Sequence, residues 1–170
     1  MIFPKFKNGQ VIDRIREKYD PLATHVRPHI TLVFPFDSDI ETAELNKHIS
    51  SVLSDVEAFE VMLKGITPVN SFGRYLFLNI EKGTEKIIEL HKKLYTGILQ
   101  EHFPQWLNGN NFLPHMTVGN FQNEEEFQMA TEETKAVVDD FKTIVNTVSV
   151  EIIDENEDSI IELEIPLKSI

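Results

Sequence analysis

Two short stretches of this chain repeat one another, one in each half: Pro28-His29-Ile30-Thr31-Leu32 and Pro114-His115-Met116-Thr117-Val118. The shared pattern is Pro, His, apolar, Thr, apolar. Proline disfavours helix at the preceding residue, and the branched and apolar residues that follow suit extended backbone. Alternate side chains of an extended segment point to opposite sides, so His29 shares a side with Thr31, and His115 shares one with Thr117. Ile30, Leu32, Met116 and Val118 point the other way and can anchor each segment in a core. Each stretch is therefore expected to be a strand that presents one imidazole and one hydroxyl.

Two such strands around a common cleft would collect two histidines and two threonines in an approximately two-fold arrangement. That set suits a phosphodiester. Imidazole titrates near neutrality, so one neutral ring can take a proton from the attacking hydroxyl while the other, protonated, delivers one to the departing oxygen. The Thr31 and Thr117 hydroxyls can donate to the non-bridging phosphate oxygens, and the reaction needs chiefly positioning and charge stabilisation. Which histidine is the base is left open. Neither motif has a carboxylate cluster beside it, so no metal and no cofactor is expected. The plainer alternative makes the histidines and threonines ordinary strand residues, but duplication in equivalent contexts argues against it.

The rest of the chain alternates between the two periodicities. Met1 to Phe6 reads as a strand and Asn8-Gly9 as a turn. Val11, Ile12, Ile15 and Tyr19 fall on one helical face that ends at Asp20-Pro21. His29 to Phe36 is expected to be extended, and Asp37-Ser38-Asp39 to cap a helix reaching about Leu53. Ala58 to Ile66 and Tyr75 to Ile80 read as strands, Lys86 to Glu101 as an amphipathic helix, and Gln105 to Leu113 as a loop containing Gly109. His115 to Phe121 is the second motif's strand. A helix over Glu124 to Val138 and strands over Thr143 to Ile153 and Ile160 to Leu167, joined through Asp154 to Asp158, complete a mixed order that is not a regular βαβ succession.

Composition narrows the classes. The 170 residues suit a single domain, and 41% hydrophobic with 26% charged residues is close to globular averages. Cysteine is absent, which excludes disulfides, thiolate metal sites and a cysteine nucleophile. Sixteen basic against twenty-eight acidic residues give a net charge of −12, unfavourable for long duplex nucleic acid but compatible with a small phosphodiester in a local pocket. No apolar run approaches the length needed to cross a bilayer and no signal segment opens the chain, so no membrane association and a cytoplasmic location are expected.

With both motifs in view, the sequence resembles the two-histidine (2H) phosphoesterase superfamily, whose mark is a pair of His-x-Thr/Ser-x motifs flanked by apolar residues. Within it the chain is most similar to the bacterial 2′-5′ RNA ligase-like branch, including the YjcG-like proteins. The resemblance covers most of the chain. It implies a duplicated, bilobal α+β fold in one domain spanning residues 1–170, with two antiparallel β-sheets forming a central cleft and helices packed outside. It also implies hydrolysis or transfer at a 2′,3′-cyclic or 2′,5′ phosphodiester of a small nucleotide or RNA end. His29 and His115 match the family's catalytic positions, and Thr31 and Thr117 its phosphate-binding ones. A binding module that keeps the pocket without the chemistry is the alternative.

Two further residues are candidate substrate contacts. Arg74 offers a guanidinium fork suited to phosphate, against the plainer reading of a solvated surface cation. Phe121 has the strand parity of His115 and Thr117, so its ring could stack on a base at the cleft edge, against the plainer reading of core packing, with Gly119 leaving space between them. His25 reads as a loop residue, and His48, His91 and His102 as solvated helix residues without a role.

Overall fold

The computed structural model describes residues 1–108 and 111–169. The first helical stretch runs as expected, α1 over Gln10–Tyr19, and stops at Asp20, whose backbone N–H bonds back to Arg16 O. The later elements are α2 (Thr42–Val52), β1 (Phe59–Val69), β2 (Arg74–Lys82), α3 (Thr84–Leu94), β3 (His115–Phe121), α4 (Glu124–Thr134), β4 (Phe141–Val145), β5 (Thr147–Ile153) and β6 (Ser159–Pro166). The order is α+β, with two antiparallel sheets. One has four strands in the order β3-β2-β1-β4, and the other pairs β5 with β6.

The small sheet is extended by chain that is too irregular to count as strand. Ser149 N–H of β5 donates to Met1 O at 3.0 Å, and Ile2 and Ile30 exchange both backbone hydrogen bonds at 2.9 Å. The first motif therefore lies at the outer edge of the series β6, β5, Met1-Ile2, Ile30, just as the second motif lies on β3 at the edge of the larger sheet. A parallel bridge between Glu57 and Lys168 ties the two sheets at their far end.

The core is the apolar side of these elements. Ile30, Leu32, Val61, Leu63, Leu76, Leu78, Met116 and Val118 are all essentially inaccessible, together with Ile12 of α1 and Ile87 and Leu90 of α3. Burial of this kind contributes roughly 25 cal/mol per Å² of apolar surface and dominates the stability of the fold.

Several expected boundaries move. Met1 to Phe6 and His29 to Phe36 make one bridge rather than two strands, because each is held at a single residue pair. The side-chain alternation survives without the ladder, with Ile30 and Leu32 inside and His29 and Thr31 half-exposed. α2 starts at Thr42 rather than after Asp39: Ser38 Oγ accepts from Ile40 N–H in a local turn, and Glu41 takes the cap position. The helix expected over Lys86 to Glu101 divides at Tyr95, where Gly97 adopts φ +53°, and continues as a 3-10 turn over Gly97–His102. Gln105–Leu107 is another 3-10 turn within the expected loop, whose Gly109 lies outside the described residues. α4 ends four residues early, and its N-terminus is capped by Asn123, whose side chain accepts from Glu126 N–H. Among the described residues no helix is long and apolar enough to cross a membrane.

Candidate active site

The loop leading to the first motif is fastened by Arg16 of α1. This buried guanidinium donates to the Asp20 carboxylate at 2.8 Å, to Val26 O at 2.8 Å and to Leu22 O at 3.2 Å. A buried arginine demands such satisfaction of its donors, so the turns from Asp20 to Val26 are held against the helix. On the far side of the loop, Ser159 N–H of β6 donates to His25 O, and His25 Nδ1 lies 2.8 Å from an Asp158 carboxylate oxygen. From this support Pro28 and His29 emerge. Leu32 O, at the motif's other end, accepts from Nδ1 of His91 at 2.7 Å.

The second motif starts β3 and is placed by ladder pairing, His115 opposite Asn79 and Thr117 opposite Phe77 of β2. Both imidazoles then make the same local bond. Nδ1 of His29 lies 2.8 Å from Arg27 O, and Nδ1 of His115 lies 2.8 Å from Leu113 O, each two residues upstream. A carbonyl only accepts, so in each neutral ring Nδ1 carries the hydrogen and Nε2 presents its lone pair.

The two rings also share their electrostatics. Burial lowers the pKa of His29 below the ordinary imidazole value; the Arg27 carbonyl and the Glu151 carboxylate oppose this, and the nearby Arg16 guanidinium adds to it. Burial likewise lowers His115, opposed by its bond to Leu113 O and reinforced by the charge of His29. A positive charge on His29 adds to the cost of protonating His115. Among the described residues no protein group bonds to the Thr31 or Thr117 hydroxyl, so both are available to a ligand.

Aromatic neighbours steady the rings. His115 stacks on Phe77 of β2 with centroids 3.6 Å apart and planes 20° from parallel. His29 meets the edge of Phe3 at 6.0 Å, and the Arg27 guanidinium lies over that same Phe3 ring at 4.4 Å. Neither Phe77 nor Phe3 is prominent in the sequence. The alternation of Tyr75 and Phe77 marks one face of β2, but only the register brings that face beside His115.

The structure separates the two remaining candidates from this pair. Arg74 pairs with Phe121 at the opposite end of β2 and β3, five residues from the Asn79 position, or roughly 16 Å along the strand. Its guanidinium bonds Glu124 at 2.8 Å and Gln122 O at 3.3 Å, as a surface ion pair. Phe121 is buried, packed at 5.7 Å against Tyr19 of α1 and at 5.7 Å against Phe127 of α4. The expected parity fails because the pairing shifts between Leu76 and Phe77, which turns the residues after Val118 over: Val118 and Gly119 are both buried in succession. Gly119 does leave room, but for the Phe121 ring itself.

The helix histidines are also not solvated. His91 is 3% exposed and stacks on Phe112 at 3.8 Å, His102 stacks on Phe36 at 4.1 Å, and His48 is half-buried against Gly97. Among the described residues no cluster of three or more His, Asp or Glu side chains is arranged to hold a metal ion. A cavity of about 550 Å³ between the segment 33–40 and β5 has neither His29 nor His115 in its lining.

Comparison with known proteins speaks to the family and the fold. A family model described as the 2′-5′ RNA ligase superfamily matches residues 4–157. A presumptive phosphoesterase of Bacillus licheniformis is 25% identical over 127 residues, 74% of this chain and 72% of that protein. Another from Bacillus pumilus is 26% identical over 127 residues, 74% of this chain and 71% of that protein. Among solved structures, TT0787 of Thermus thermophilus superposes with a TM-score of 0.66 at 15% identity, covering 99% of this chain and 96% of that one. E. coli LigT complexed with ATP superposes with a TM-score of 0.51 at 16% identity, covering 92% and 91%. At these identities the solved structures speak for the fold.

Proposed function

The chain belongs to the 2′-5′ RNA ligase superfamily, and from that premise we propose that it is a cytoplasmic phosphoesterase acting at a 2′,3′-cyclic or 2′,5′ phosphodiester of a small nucleotide or RNA end. His29 and His115 are its acid and base, and Thr31 and Thr117 hold the phosphate. The chain forms one domain of two pseudo-symmetric lobes, each delivering one motif at the edge of its sheet. The observation that carries this reading is the matched pair of bonds from Nδ1 to the carbonyl two residues upstream. It leaves both Nε2 atoms as the reactive nitrogens.

In hydrolysis of a cyclic phosphate, the neutral Nε2 of one ring removes a proton from water as the water oxygen attacks phosphorus. The bond to the 2′ or 3′ oxygen breaks, and the other ring, protonated at Nε2, supplies a proton to that oxygen. The pair ends with its protons exchanged and the total unchanged. The threonine hydroxyls donate to the non-bridging oxygens as negative charge gathers there. Burial favours the neutral form of both free rings, and an incoming phosphate anion favours protonation of one of them. The complex of E. coli LigT with ATP supports a nucleotide-sized ligand.

The test is turnover of 2′,3′-cyclic nucleotides and 2′,5′-linked dinucleotides by His29→Ala and His115→Ala. Each variant is expected to lose roughly 10²- to 10⁴-fold in kcat, the usual contribution of a positioned acid or base. Wild-type turnover by either variant would refute the reading. A wild-type protein that binds these ligands without cleaving them would make the chain a binding module.

A further inference from the structure

Beyond Phe77 the cleft side of β2 carries more aromatic surface than the proposed chemistry uses. Tyr75 stacks with Phe77 at 5.7 Å and 23°, and Phe72, in the turn before β2, meets Tyr75 at 5.8 Å and 34° and Phe77 at 6.3 Å and 35°. Together with His115 on Phe77 at 20°, these rings form a continuous set, stacked from His115 through Phe77 to Tyr75 and tilted at Phe72, running outward from the second motif. The aromatic cluster around Phe34, by contrast, packs edge to face, with angles of 73° to Trp106, 82° to His91 and 89° to Phe112. Phe72 is 69% exposed, so the outer end of this set has no cover among the described residues.

Three further observations say what would cover it. The residues paired with Phe77 and Tyr75 across the sheet are Thr117, Thr67, Asn120 and Val69. They share its face, and none is charged, although the chain as a whole carries −12. A neutral strip of rings, hydroxyls and amides suits a nucleobase better than a phosphate or a basic peptide. The Tyr75 ring is folded back over Gly73, where φ is +147° and any Cβ would collide with it, so the glycine gives the ring its place beside Phe77. Two ring-to-ring steps, of 3.6 and 6.3 Å, separate His115 from Phe72, which one nucleotide spans.

We infer that Phe72 and Tyr75 form a stacking platform for the base one nucleotide removed from the one that bears the scissile phosphodiester, so that the preferred substrate is a short single-stranded oligonucleotide end and not a mononucleotide. This rests on the phosphoesterase reading for its orientation. Base stacking on an aromatic side chain is tolerant of base identity, so the platform selects for length more than for sequence.

The experiment compares a 2′,3′-cyclic mononucleotide with a trinucleotide ending in a 2′,3′-cyclic phosphate. Wild-type kcat/KM is expected to favour the trinucleotide on the order of tenfold, the contribution of about one stacked base. Phe72→Ala should bring that ratio close to one, mainly through the KM of the trinucleotide. Val138→Ser, which alters an equally exposed apolar residue elsewhere (74% exposed), should keep it. Equal kcat/KM for the two substrates in the wild type, or an equal loss in both variants, would overturn the platform and leave the phosphoesterase reading intact.

If neither substrate is turned over, the phosphoesterase reading fails on its own. Anisotropy of a labelled trinucleotide then still decides the platform. Weaker binding by Phe72→Ala than by wild type supports it, and equal binding rejects it. Should Phe72→Ala instead convert a dimer to a monomer by light scattering, with trinucleotide affinity unchanged, the patch is a contact between copies of the chain and the inference falls.

Discussion

At the scale of single residues, the two imidazoles are prepared in the same way: Nδ1 is tied to a backbone carbonyl, and burial makes the charged form costly. The pH dependence follows from the sign of these shifts. Both rings are lowered from the 6.5 of free imidazole, and the proposed reaction needs one neutral and one protonated. The bell-shaped profile of kcat/KM, which reports the free enzyme, is therefore expected to peak below pH 6.5. The kcat profile should peak at higher pH, because bound phosphate anion stabilises the imidazolium. Rate measurements from about pH 4.5 to about pH 8.5 decide this, and a kcat/KM optimum well above about 7 would contradict the assigned shifts. The four residues of the twin motif are legible in the sequence because local parity alone sets their side. Phe121 is not, because a pairing shift inside β3 reverses parity, and one strand's sequence carries no sign of its neighbour's register.

At the scale of elements, the two motifs are supported differently. β3 is held by its ladder to β2, whereas the first motif makes a single bridge to Ile2 and relies on side chains, Arg16 before it and His91 behind it. Arg16→Met should strand the buried Asp20 carboxylate, which is 4% exposed, and leave Leu22 O and Val26 O without their partner. A loss of roughly 3–5 kcal/mol in unfolding free energy is expected, read from denaturant titration. His91 tests the opposite end. Its folded-state pKa is lowered by burial, so the unfolded chain takes up the proton first. Stability is therefore full above pH 6.5 and falls as the pH drops from there through the lowered folded value. His91→Leu should remove that part of the acid sensitivity while costing about 1–3 kcal/mol at about pH 8, since Leu32 O loses its donor. An unchanged slope of stability against pH in this variant would rule out His91 as the source. Neither support is visible in the sequence. Arg16 and His91 sit among charged residues on amphipathic helices and look solvated until the loop and the 29–32 segment close over them.

Across the whole molecule, the net charge of −12 sets the field that an anionic substrate meets. Screening shortens that field to about 10 Å at about 0.1 M salt, so kcat/KM for a cyclic nucleotide is expected to rise roughly two- to threefold between low and moderate ionic strength. Stopped-flow or steady-state rates over a salt series measure it. A fall with salt would mean that nearby cations such as Arg27 outweigh the global charge. The α+β class, the identity of most elements and the facing of His29 with Thr31 and His115 with Thr117 were all determined by the sequence alone. Those depend on residue type and local periodicity, which act over a few residues. The tertiary structure alone decided the rest: the register that stacks Phe77 on His115, the reversal that buries Phe121, the pairing of Arg74 with Glu124 at the other end of β2, and the closure that buries Arg16 and His91. Each depends on which distant segments meet, and that is settled by packing the whole chain at once.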